Sequence, residues 1–389
     1  MFVLRNARVM TCDPAQPGLG FVDRGAVVVD GDRVVHVCDD AALPAAYAKA
    51  PMHDCSGALV TPGLVDCHTH AIFAGDRANE FALRASGASY LEIAEAGGGI
   101  AATLTPTRAA SDGELTALLD QRLALARTTG TTTMEAKSGY DLTSAGELRL
   151  LRLLAARRPA IVPTLLAHLV PPERAADRDA FVDEIVTAWV PRAASLGLAT
   201  SVDVYCDTGA FTLAETRAIF TAARAARLGV RAHAGQFADV GAAELVAEFG
   251  GLSADHLEQI SPHGVHALAR AGTVAVMLPG ACVQLRLPPP PVARLRDAGV
   301  AMAIASDLNP GSSYSCSLPL QMWIATTHLQ MSVEEAWLGV TRHAARALAL
   351  PDRGALVAGN HGGAVLWKTD LPADICYRYG APLVDRVFA

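Results

Sequence analysis

The chain has 389 residues, 51% of them hydrophobic and 18% charged, with a formal net charge of -7. That length accommodates one large α/β barrel with a small satellite domain, or two medium domains, and a sizeable core in either case. No apolar run approaches the ~20 residues of a membrane span, and no clustered Lys/Arg run offers a footprint for nucleic acid or an anionic membrane. The eight cysteines are scattered without a Cys-x-x-Cys pair, which excludes a disulfide framework and a zinc knuckle and reads as reduced thiols. The start, Met1 to Arg8, lacks a basic region followed by an apolar stretch, so a cytoplasmic protein is expected.

Residues 1 to about 60 read as short strands. Gly25 to Val29 and Arg33 to Val37 form two apolar runs joined by a tight turn at Asp30-Gly31, the pattern of a hairpin. From residue 61 apolar runs alternate with helical segments. Eight such runs occur, at 63–67, 131–136, 161–167, 201–206, 230–234, 252–255, 273–278 and 300–306, which predicts an eight-stranded parallel barrel over 61–349. Between the runs, capping-box pairs mark helix starts at Ser111/Glu114, Ser144/Glu147, Thr212/Glu215 and Ser332/Glu335. Past residue 350, Ala355 to Ala358 and Gly363 to Trp367 read as strands again. The two chain ends, 1–60 and 350–389, are therefore expected to combine into one small β-sandwich domain.

In such barrels the chemistry sits where strands end, on the C-terminal face. The first run ends at His68 and His70, the third at His168, the fifth at His233, the sixth at His256 and the eighth at Asp307. Two imidazoles one residue apart at a strand end point to one side and can reach one ion. Three imidazoles with one carboxylate suit Zn²⁺ or Fe²⁺ and leave a coordination position for water. A bound divalent ion brings the pKa of water to about 7, so hydrolysis is the natural chemistry, with Asp307 accepting the proton and passing it to a leaving nitrogen.

The segment Pro62 to His70, with His233, His256 and Asp307, resembles the amidohydrolase superfamily. Within that superfamily the chain looks like the imidazolonepropionases. The likeness is carried by Phe73 to Arg77, Tyr90 to Ile93, Ala96 to Ile100, Glu135 to Tyr140, Ala167 to Glu173, Ser253 to His256 and Asp307 to Ser313. It implies a (β/α)8 TIM-like metallo-dependent hydrolase barrel that opens the ring of 4-imidazolone-5-propanoate to N-formimino-L-glutamate, a step of histidine degradation. It further implies one divalent metal ion, Zn²⁺ or Fe²⁺/Fe³⁺, on His68, His70, His233 and Asp307, with His256 contacting the attacking water or the ring carbonyl. Arg77, Tyr90, Tyr140, His168, Asn309, Gly311 and Ser312 would hold the substrate, Arg77 offering a planar fork to a carboxylate tail. The partner so implied is a small molecule with a carboxylate tail. Relatives of this kind are often dimers, which leaves a homodimer open.

Three places depart from the family pattern, and a fourth position beside them keeps to it. Gln236 stands where a Gln or Glu faces the reacting centre, and an amide cannot act as a general base. Gly235 lacks the usual polar side chain, Asp141 replaces a Gly and would repel an anionic tail if it pointed inward, and 281–287 lacks an expected aromatic pair and acidic residue. These positions bear on substrate identity, so a hydrolase of a related ring is the alternative, such as a 2-thioxo-imidazolidinone propanoate desulfhydrase or another cyclic amidine or amide deaminase. The Gly97-Gly98-Gly99 run reads as the hinge of a loop over the site.

Overall fold

The computed structural model describes residues 1–87 and 99–388. Two sheets organise them. The first is built from both chain ends: β1 (Phe2–Met10), β2 (Phe21–Asp30), β3 (Arg33–Asp39), β4 (Met52–Asp54) and β5 (Leu59–Pro62) come from the beginning. The second holds eight parallel strands in sequential order: β6 (Leu64–Asp66), β7 (Thr131–Lys137), β8 (Ile161–Ala167), β9 (Ser201–Cys206), β10 (Gly229–Ala234), β11 (Ser253–His256), β12 (Val274–Met277) and β13 (Met302–Ile304). The chain then returns to the first sheet with β14 (Ala364–Trp367) and β15 (Val384–Phe388).

All eight apolar runs become barrel strands because each is buried on both faces, inward against the barrel interior and outward against helices. Ile161 to Ala167, for example, is buried at every position. The first and eighth strands meet through the segments that follow them. Asp307 donates its backbone N–H to His68 O at 3.0 Å, and His70 N–H donates to Leu308 O at 2.8 Å. The seam of the barrel is thus closed by the backbone of the residues that the sequence marks as ligands.

In the chain-end sheet the order is β15-β14-β5-β1-β2-β3, with β4 paired to β1. β2 and β3 form the expected hairpin, Asp30 facing Arg33. Leu4, Val27, Val34, Val60 and Leu366 share one apolar cluster, and Val3, Ala26 and Val28 another, as alternation along a strand requires when both faces are covered. The passage between the sheets falls at Gly63, between β5 and β6.

Two expectations are corrected. Ala355 to Ala358 is not a strand; Leu356 donates one hydrogen bond to Thr11 O, and the segment turns instead of pairing along its length. The capping boxes form at Ser111/Glu114, Thr212/Glu215 and Ser332/Glu335, but the helix Ser144–Ala155 is capped by Thr143, whose hydroxyl accepts from Gly146 N–H. Glu147 turns away from its own helix terminus and accepts from the backbone N–H groups of Gly139, Asp141 and Leu142. Three donors presented by one loop outcompete the single donor of a helix start, and Glu147 becomes the anchor of the 137–142 segment at the barrel mouth.

Candidate metal centre and substrate pocket

Strand alternation aims the side chains. In β10, Arg231 and His233 lie two residues apart and point inward together, as do Glu135 and Lys137 in β7. His68 and His70 follow β6 with the same spacing. His256 and Asp307 hold backbone φ values of 80° and 49°, a left-handed conformation costly for side-chain-bearing residues, which sharp turns at the strand ends impose and which functional sites characteristically retain.

The resulting cluster has the dimensions of an ion site. His233 Nε2 lies 3.4 Å from His70 Nε2, and Asp307 Oδ1 lies 3.5 Å from both His68 Nε2 and His70 Nε2. Four ligands about 2.1 Å from a common centre at tetrahedral angles stand about 3.4 Å apart. His68 Nε2 is buried without a hydrogen-bond partner, the expected condition of a nitrogen reserved for an ion. Burial first, then the neighbouring cationic groups, pushes the pKa of His68 and of His70 well below the usual imidazole value, so both present lone pairs at neutral pH. The other ring nitrogens are held: His68 Nδ1 contacts Asp255 Oδ2 at 2.6 Å and His233 Nδ1 contacts Asp203 Oδ1 at 2.9 Å. Such carboxylates fix the tautomer and orientation of a ligand imidazole. The residues present therefore fit a divalent ion.

A cavity of about 310 Å³ opens above the cluster, enough for a small ring substrate. Arg77, Tyr140, His168, Gln236, His256, Asp307, Asn309, Gly311 and Ser312 all line it. Tyr90 lies outside the described residues, as do Gly97 and Gly98. His168 Nδ1 contacts Gly139 O at 2.9 Å, and burial takes its pKa down to about 4, so it faces the cavity uncharged. His256 Nδ1 stands 3.9 Å from Glu258 Oε1; burial alone would lower its pKa, but Glu258, Asp307 and Asp255 outweigh that and raise it.

Three of the sequence expectations need refinement. Arg77 does not present its whole fork to the cavity: Nε and Nη2 are held by Glu80 at 2.8 and 2.6 Å, which leaves Nη1. A second cation, Arg84, also lines the cavity and donates to Gly311 O at 2.7 Å. It lies one helical turn past Glu80 on the helix Ala78–Ala85, a spacing that could have exposed it in the sequence. Asn309 spends its amide on its own loop, accepting from Gly311 and Ser312 N–H at 2.7 Å each and donating to Asp307 O. At Gly311 a Cβ would stand 2.3 Å from Arg77 Nη1 and would push that end of the side chain aside.

The departures also find places. Asp141 bonds the Thr143 hydroxyl and packs on Gly146 at the start of the helix, so it does not face the cavity. Gly235 takes φ of 67°, the left-handed region that favours glycine. Gln236 accepts from the Tyr205 hydroxyl at 3.1 Å, and Tyr205, at the end of β9, joins the cavity wall without a sequence motif to announce it. In the divergent 281–287 stretch, Gln284 donates to Gly311 O and Leu285 lines the cavity.

Comparison with known proteins identifies the family. A model of the amidohydrolase family matches residues 82–374. An imidazolonepropionase of Acidiphilium cryptum is 48% identical, the match covering 98% of this chain and 97% of the relative; those of Paracoccus denitrificans (45%; 100% and 98%) and Caulobacter vibrioides (46%; 98% and 97%) are similar. Among solved structures, a zinc-bound atrazine chlorohydrolase of Arthrobacter aurescens (TM-score 0.71, 14% identity, covering 100% of this chain and 94% of that one) and a zinc-bound adenosine deaminase of Xanthomonas campestris (TM-score 0.72, 17% identity, 100% and 91%) share the fold. With nearly half its residues identical over almost the full length of such relatives, the chain belongs to the amidohydrolase family and, within it, to the imidazolonepropionases.

Proposed function

We propose that the protein hydrolyses 4-imidazolone-5-propanoate to N-formimino-L-glutamate in the degradation of histidine, using one divalent ion, zinc or iron, held by His68, His70, His233 and Asp307. The observation that carries this is the 3.4 to 3.5 Å spacing of four donor atoms at the floor of a cavity with two arginines in its wall, in a chain so close to imidazolonepropionases. The ion, when bound, supplies hydroxide at neutral pH and polarises the ring carbonyl.

The chain's own groups do the rest. Asp307 accepts the proton of the attacking water and returns it to the ring nitrogen as the carbonyl carbon–nitrogen bond breaks. Burial raises the Asp307 pKa, while His256 and His233 act to lower it. His256, its pKa raised by Glu258, donates to the carbonyl oxygen as negative charge develops there. Gln236 offers a hydrogen bond but no base. Tyr140 and His168, whose rings lie 5.6 Å apart nearly edge-to-face, wall one side of the ring site. Arg77 is paired with Glu80, so Arg84 supplies the charge that the trio has in excess, and the propanoate tail is read between Arg77 Nη1 and Arg84.

Residues 1–60 and 350–389 would form the small domain and 61–349 the catalytic barrel, in the cytoplasm. Among the described residues no helix is long and apolar enough to cross a membrane. The test is the loss of ultraviolet absorbance of the imidazolone on adding enzyme, with formiminoglutamate identified as product. A protein that turns over the thioxo analogue but not the imidazolone would refute the substrate.

A further inference from the structure

Beneath the proposed ligands the barrel interior is charged. Interior layers of such barrels are usually filled by branched apolar side chains. Here Glu135, Lys137, Asp203, Arg231 and Asp255 occupy that space, each with 0% exposure. Lys137 Nζ sits 2.8 Å from both Glu135 Oε1 and Asp203 Oδ2. Arg231 Nη2 sits 3.0 Å from Asp255 Oδ2 and donates to Cys67 O at 2.6 Å, while Nη1 lies 3.6 Å from Glu135 Oε1.

Each carboxylate is shared between a cation and a metal-binding element. Asp203 takes His233, Asp255 takes His68, and Glu135 Oε2 accepts the N–H of Thr69, between His68 and His70. Buried ion networks of this kind gain a fold little, since well-packed apolar residues of similar volume are often as stabilising. Their geometry, by contrast, is unforgiving.

We propose that Lys137 and Arg231 are positioning residues of the metal centre, holding three carboxylates that orient the ligands and thereby setting the affinity for the ion. The inference rests on the metal-site reading above. It is tested on the full-length protein by competing zinc against a chelator of known affinity. Wild-type protein that binds no zinc would refute the metal-site reading itself.

Given zinc binding, Lys137→Met should raise the zinc dissociation constant about 10- to 100-fold, the usual effect of losing an outer partner of a metal ligand. The same variant should narrow the difference in melting temperature between zinc-loaded and metal-free protein, and Lys137→Arg should recover much of the affinity. Leu154→Ala, a core truncation in the helix Ser144–Ala155, serves as the control that lowers stability and leaves the dissociation constant unchanged. If Lys137→Met does not fold, Lys137→Gln, which keeps a donor without the charge, is measured in its place. A wild-type zinc dissociation constant in the folded variant, whatever its melting temperature, would overturn the proposal and leave Lys137 a structural residue.

Discussion

The barrel mouth and the core of the chain-end sheet are both buried, yet they bury opposite things. The sheet hides Leu4, Val27, Val34, Val60 and Leu366, side chains with no polar atom to satisfy. The barrel hides His68, His70, His233, Asp307, Lys137 and Arg231, each of which costs several kcal/mol to desolvate unless it is paired or coordinated. A change of shape in an apolar cluster is felt in stability alone. A buried polar cluster is unforgiving of geometry. The teaching of the contrast is that substitutions in the two regions should separate activity from stability.

The largest separation is expected at Asp307. Asp307→Asn keeps the volume but cannot relay a proton, so kcat should fall by about 10²- to 10⁴-fold, with near-native far-ultraviolet circular dichroism. Retention of more than a tenth of wild-type turnover would remove Asp307 from the proton transfer.

Next come the two arginines of the cavity. Arg84→Ala should weaken kcat/KM for the propanoate substrate by the equivalent of about 2 to 5 kcal/mol, because the carboxylate tail would lose its unneutralised partner. Arg77→Ala should do the same and also free Glu80 to repel the tail. Both variants should act on a tail-less imidazolone nearly as well as wild type does; equal losses on both substrates would make the arginines structural.

The mirror experiment lies in the sheet. Leu4→Ala removes a fully buried side chain and should cost about 2 to 5 kcal/mol of unfolding free energy in denaturant titration. Its kcat per folded molecule should remain that of wild type. A kcat loss without a stability loss would show that the sheet communicates with the mouth.

The smallest effect is a pH slope. His343 sits behind the barrel with Nδ1 on Met302 O at 3.0 Å, and burial lowers its pKa from 6.5 to about 4. Above pH 6.5 neither folded nor unfolded protein protonates it, so it contributes no slope. Between about 6.5 and 4 only the unfolded chain takes the proton, and stability falls by about 1.4 kcal/mol per pH unit. His343→Gln should flatten the dependence of unfolding free energy on pH by that amount. An unchanged slope would mean that His343 accepts its proton in the folded state.

Much of this was legible in the chain. Each of the eight apolar runs is short, bounded and followed by a helical segment, so the barrel is written locally. The ligands were legible because His or Asp stood at the end of run after run. The Ser144/Glu147 pattern misleads because capping is a statement about one helix, and only the folded loop reveals three better donors for Glu147 at Gly139, Asp141 and Leu142. Ala355 to Ala358 has strand composition but finds no neighbour along its length. The charged layer was hidden for a similar reason: Glu135, Lys137, Asp203, Arg231 and Asp255 lie on four strands, and nothing in their spacing says that they meet.

By itself, then, the amino-acid sequence determined periodicity, strand ends and the chemical types of the ligands, because these depend on neighbours in the chain. Tertiary structure decided the rest. It chose which nitrogen of His68 and His233 faces inward by placing Asp255 and Asp203 on the other, half-neutralised the charge at the substrate end by setting Glu80 on Arg77, and turned Asp141 away toward Thr143. Those choices depend on the register of parallel strands and on which loops meet above them, and electrostatic energies between buried groups change steeply over the ångström distances that only packing sets.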